Sequence, residues 1–117
     1  MSTLLEKIKQ LSSEITPETL ANRHHIHANP ELSYQEFQTQ AYVLEQLERM
    51  GIQAKKIATT GLIAEIKGKN PSKKVVALRA DMDALPIHET NEVPYKSKNP
   101  GVMHACGHDV HTASLLG

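Results

Sequence analysis

The segment His104-Ala105-Cys106-Gly107-His108-Asp109-Val110-His111 puts three imidazoles, one thiol and one carboxylate into eight residues. Those donors bind Zn²⁺, Mn²⁺, Co²⁺ or Ni²⁺ through nitrogen, sulfur and oxygen, so the chemistry they point to is that of a transition metal. Gly107, between Cys106 and His108, lets the backbone turn sharply, and two ligands flanking it can then converge on one ion. Taken singly, each residue has a plainer reading: a lone Cys is a small buried hydrophobe and a lone His a hydrogen-bonded group. Density and ligand type favour the metal for the cluster as a unit. Asp109 can bridge, orient an imidazole as an acceptor, or cap the following helix. His111 lies one helical turn beyond His108, which allows joint ligation or simple exposure.

A second concentration is Arg79-Ala80-Asp81-Met82-Asp83-Ala84-Leu85-Pro86. It follows the continuous apolar run Val75-Val76-Ala77-Leu78, of the kind found in strands covered on both faces. Ligands of open α/β sheets bind beyond the carboxyl ends of strands, where Asp81 and Asp83 are delivered. The other reading, that both merely solvate a turn, stays open. A third group, Arg23-His24-His25-Ile26-His27, falls on a predicted helix; His24 and His27 share a face, with no acid or sulfur beside them, and a solvated face is the plainer reading.

The elements that must position these residues can be read from periodicity and punctuation. Leu4, Ile8 and Leu11 predict a first helix over 4–14, and Thr16-Pro17 a second start that runs to about Asn29 before Pro30. Ser33 and Glu36 have the spacing of a capping box for a helix whose face is Phe37, Ala41, Leu44 and Leu47, closed by Gly51. Residues 52–57 and 62–67 read as strands around a Thr59-Thr60-Gly61 turn, with residues 74–80 as a central strand. Residues 88–100 read as a loop and 109–116 as a short helix.

Composition narrows the class. The chain of 117 residues carries 13 Lys+Arg against 13 Asp+Glu, a net charge of +0 that argues against nucleic acid or anionic lipid as a partner. Hydrophobic residues at 39% and aromatics at 3% imply one globular domain with an aliphatic core. The single cysteine excludes an internal disulfide and fits a reducing compartment, and neither a secretory signal nor a membrane-length apolar run is present. A cytoplasmic location is the expectation.

The order of these pieces resembles a known family. Arg23-His24, His27, Pro30-Glu31-Leu32-Ser33, Glu36, the turn at Gly61, Arg79 to Pro86 and Met103 to Ala113 together look like the amidohydrolase branch of the aminoacylase and carboxypeptidase G family of metallopeptidases. That branch includes hippurate hydrolases, N-acetyldiaminopimelate deacetylases and auxin-conjugate hydrolases. By this resemblance Cys106 and His108 match ligands of a site for two divalent metal ions (Zn, Mn, Co or Ni). Asp81 and Asp83 match the carboxylate pair that contains the family's catalytic aspartate. The implied reaction is hydrolysis of the amide bond of a small N-acyl amino acid. The implied fold is α/β, a three-layer αβα catalytic domain of the zinc-exopeptidase type, with a separate dimerisation domain and frequent homo-oligomers. Residues 1–117 correspond to the N-terminal portion of that catalytic domain. In the family the general-base glutamate and further ligands lie beyond the Cys-Gly-His-Asp motif, whereas no glutamate follows Glu92 here. The expectation is a truncated domain, inactive as this fragment; the alternative is a metal-binding module or remnant without hydrolase activity.

Overall fold

The computed structural model describes residues 3–117, which form α1 (Leu4–Ala28), α2 (Phe37–Arg49), β1 (Ala54–Ile57), β2 (Gly61–Ala64) and α3 (His108–Leu116). The mixed α/β class is as expected, and several elements differ from their predicted form. α1 is one helix, not two. Its start is a capping box, in which Glu6 N donates to Thr3 Oγ1 at 3.2 Å and Thr3 N donates to Glu6 Oε2 at 2.6 Å. The Thr16 hydroxyl, expected to cap a second helix, instead donates to the Ser12 carbonyl at 2.7 Å, so the helix runs through Pro17. The end is where Pro30 requires it: Asn29 leaves helical geometry at φ −124°, and its side-chain amide donates to the His25 carbonyl.

The α2 capping box is not made. Ser33 Oγ donates to Asp83, Glu36 accepts from the Tyr34 amide, and the free N–H groups of Gln38 and Thr39 are taken by Glu31. A more distant carboxylate thus does the capping, which a three-residue spacing rule cannot see. The buried face of α2 is also rotated from its predicted position: Phe37 is exposed, while Thr39, Gln40, Val43 and Gln46 are buried. Gln40 explains the rotation, because its amide donates to the Thr59 and Gly61 carbonyls and fastens the hairpin to the helix. Helix α2 ends at a left-handed Gly51, φ +75°, as expected.

The predicted hairpin is present and shorter, with Ala54 opposite Ala64 and Ile57 opposite Gly61 in antiparallel register. The predicted central strand is not formed. Among the described residues β1 and β2 make the only sheet, and Val75 and Val76 are 90% and 80% exposed. A strand exists only where a neighbour accepts its ladder hydrogen bonds, and residues 74–80 have none.

Beyond that segment the chain is pinned again. Ala84 N donates to the Glu31 carbonyl at 2.8 Å, and Leu85 and Met103 exchange amide hydrogen bonds at 2.9 and 3.0 Å. These contacts set the 81–85 turn beside the 101–107 loop. Helix α3 runs antiparallel to α1, its first turn near Arg23 and His27 and its end near Ile15 and Thr19. Ala113 and Leu116 of α3 and Ile26 of α1 are buried, and burying the Ile side chain is worth about 1.5 to 3 kcal/mol.

Candidate metal centre

Gly107 sits at φ +94°, a conformation that costs an L-residue with a Cβ, and there the chain turns from loop into α3. The turn puts His108 in the first position of the helix and His111 three residues later, on the same face. Both imidazoles face the Asp81–Asp83 turn. One donor atom from each of Asp81, His108 and His111 lies within 4.8 Å of the other two, the only such group of three among the described residues.

Hydrogen bonds decide which nitrogens are available. His108 Nδ1 is 2.9 Å from the Asp83 carbonyl and 2.9 Å from Asp83 Oδ1, two groups that only accept, so Nδ1 carries the hydrogen. The other nitrogen of His108, Nε2, faces Asp81 Oδ2 at 3.5 Å. His111 Nδ1 faces Asp81 Oδ1 at 2.7 Å, a contact whose place an ion held between these two residues would take. An imidazole held at one nitrogen by a carboxylate, with the other presented as a base, is the usual arrangement of a metal-ligating His. The Thr112 hydroxyl fixes the Asp81 carbonyl at 2.7 Å, and Ser33 fixes Asp83.

Electrostatics keep both aspartates ionised. The hydrogen bond from His111 holds Asp81 below the ordinary carboxylate range. For Asp83 burial pushes upward, and the hydrogen bonds from Ser33 and His108 overcome it, leaving a net lowering.

The structure thus unites three of the four candidate residues: Asp81 and His108 converge, and Asp83 orients His108. Cys106 is exposed and stands outside the three-residue group. His111 belongs to the group, and its one-turn spacing from His108 was the signal for it. The nitrogen and oxygen donors suit Zn²⁺, Mn²⁺ or Co²⁺, and three ligands leave coordination positions open, so the residues present fit one such ion.

The 23–27 cluster does not converge on an ion. His24 stacks on Tyr95 at 4.0 Å between ring centroids, and His25 on Tyr42 at 3.8 Å. His27 is buried instead, with Nδ1 2.8 Å from Asp109 Oδ2 and Nε2 3.0 Å from Glu89 Oε2. Asp109 also accepts from Arg23 Nε at 3.0 Å. Of the roles open to Asp109 in the sequence, the acceptor that orients an imidazole is the one seen, and the helix cap is Gly107. Glu89 gave no signal in the sequence, being one acid in a polar loop. Burial pushes its carboxyl upward, but the Ser97 amide, His27 and Asn91 more than offset this and hold it at about 2. His104 is 4% exposed and neither ring nitrogen has a partner; burial drives it down to about 4, so it stays neutral.

Residues 77–117 match the sequence profile of peptidase family M20/M25/M40. An N-acyl-L-amino acid amidohydrolase of Geobacillus stearothermophilus is 51% identical over 113 residues, which are 96% of this chain and 30% of that protein. Thermostable carboxypeptidase 2 of Saccharolobus solfataricus is 50% identical over 116 residues, 97% of this chain and 29% of that one. Among solved structures, a dinuclear metal binding peptidase of the M20 family from Bacillus subtilis superposes with a TM-score of 0.84 at 43% identity, covering 89% of this chain and 30% of that one. The chain spans about 30% of the length of the relatives it matches.

Proposed function

Because this chain belongs to peptidase family M20, we propose that it contributes part of the metal centre of an amidohydrolase acting on N-acyl amino acids. The observation that carries the reading is the convergence of Asp81, His108 and His111. These residues would hold one divalent ion. Cys106, one glycine before His108, is the sulfur donor proposed for a second, in keeping with the dinuclear M20 relative. Such ions, when bound, polarise a scissile carbonyl and supply an activated water. The chain's own residues prepare that chemistry: Asp83 keeps the His108 proton on Nδ1, and Asp81 and His111 already face each other at 2.7 Å.

The substrate class follows from the relatives. An amidohydrolase of N-acyl amino acids and a carboxypeptidase both cleave an amide whose nitrogen belongs to an amino acid with a free carboxylate. The base expected from the family is not among these 117 residues, so this chain alone is proposed to bind metal without turnover. Residues 1–117 are read as the N-terminal portion of the catalytic domain, in a cytoplasmic protein with neither nucleic acid nor membrane as a partner.

Cobalt titration tests the reading. Visible d–d bands of bound Co²⁺ should appear with the wild type and weaken in Asp81→Asn/His111→Ala as the ion held by those residues is lost, while a thiolate charge-transfer band should be lost only in Cys106→Ser. Absence of both bands from the wild type would refute the metal centre, and release of free amino acid from N-acetyl amino acids by the 117-residue chain would refute the assignment as an incomplete site.

A further inference from the structure

The buried cluster behind the candidate metal centre is not explained by ligation. His27 lies in the last turn of α1 with both ring nitrogens engaged, Nδ1 by Asp109 of α3 at 2.8 Å and Nε2 by Glu89 at 3.0 Å. Both partners are carboxylates, so each ring nitrogen faces a group that only accepts. Arg23 adds a second cation on Asp109, and its guanidinium lies over the Tyr95 ring, 4.9 Å from the centroid. Two buried acids thus each meet His27, and Asp109 meets Arg23 as well. The Ser97 amide at 2.7 Å and the Asn91 amide at 3.2 Å hold the far side of Glu89, which fastens the 89–97 loop to the cluster.

We propose that His27 is a positioning residue: through Glu89 and Asp109 it ties α1 and the 89–97 loop to the first turn of α3, and so fixes where His108 and His111 point. Asp109 sits between those two histidines in the sequence but projects into the interior, while they face the 81–83 turn. Asp81 and Asp83 are themselves on a partly exposed turn that follows the unpaired 74–80 segment. The buried side of the helix is therefore the firmer anchor. The ring of His27 cannot rotate without losing both carboxylates at once, so the helix turn has one register against α1.

The test uses the full 117-residue chain, with Glu89→Gln and His27→Gln against Gln40→Ala, a control that loosens the hairpin from α2. The expected result is a Co²⁺ affinity about 10- to 100-fold weaker in the two cluster variants, with faster amide hydrogen exchange at Val110, His111 and Thr112. Gln40→Ala should lower the melting temperature and leave both readouts as in the wild type. Wild-type affinity and wild-type exchange in Glu89→Gln would overturn the proposal. The affinity arm rests on the metal reading and the exchange arm does not: a wild type that takes up no Co²⁺ refutes the metal centre, and exchange at α3 then decides this proposal by itself. Should both cluster variants fail to fold, ¹⁵N spectra of wild-type His27 at neutral pH decide it. Hydrogens on both ring nitrogens support the clamp; one bare nitrogen overturns it.

Discussion

At the scale of single residues the candidate centre depends on which groups can only accept. Asp83 offers His108 a carbonyl and a carboxylate oxygen, and that pair of acceptors, not the metal, selects the tautomer. The same logic at Glu89 gives a prediction about pH. Its folded value, about 2, lies below the ordinary 4.5, so between those values the unfolded chain binds more protons than the native one. The stabilisation is fully present above pH about 4.5 and is lost as pH falls toward about 2. One proton gives a slope of at most about 1.4 kcal/mol per pH unit. Denaturant melts between neutral pH and pH about 2 should therefore show Glu89→Gln less stable at neutral pH, with the difference from wild type shrinking through that window. A constant difference at every pH would assign the stabilisation to another group.

Much of the centre was legible in residue types. A helix start after Gly107 places His108 and His111 on one face, and the two aspartates follow the only continuous apolar run of their region. What stayed hidden were pairings over long separations: His27 with Asp109 and Glu89, Ser33 with Asp83, Glu31 with the start of α2. Periodicity reports which face of a helix is apolar, and these contacts join polar groups across loops, where no period exists.

At the scale of elements, local signals were overridden where the chain found a better acceptor. Thr16-Pro17 has the form of a helix start, yet Thr3 and Glu6 already cap the helix and the Thr16 hydroxyl turns back to Ser12. Pro17 is then an interior proline, with no N–H to give the Ser13 carbonyl. Pro17→Ala should stabilise the chain by about 1 to 3 kcal/mol in chemical denaturation. Unchanged or lower stability would mean that the continuous α1 is not the native helix. Gly107→Ala probes the opposite case. A Cβ there meets nothing within 4 Å, so only the left-handed backbone resists, at a cost of about 1 to 2 kcal/mol. Stability should fall by that amount and Co²⁺ binding should weaken with it, because relief of the strain moves His108. Loss of stability with unaltered Co²⁺ affinity would show that the turn does not set the ligands.

At the scale of the whole molecule the chain is more open than its length calls for. Its radius of gyration is 15.9 Å, against about 13.4 Å for a compact domain of this size. Its accessible surface is 8640 Å², against about 6300 Å² for a compact monomer of this mass. The excess lies in particular places: Leu4, Leu5 and Ile8 on α1, Ile66 after the hairpin, and the exposed Val75, Val76 and Leu78. That last segment has the composition of an inner strand and the exposure of an unpaired edge, which is a template for pairing with another copy. The chain should therefore self-associate as concentration rises. Val76→Lys places a charge in the middle of the segment and should shift the population toward monomer in sedimentation velocity. Because Val76 is 80% exposed, the same substitution should leave the stability of the monomer within about 0.5 kcal/mol. Self-association undiminished by Val76→Lys would move the sticky surface to the apolar side of α1, where Ile8→Lys would then be the substitution that disperses it.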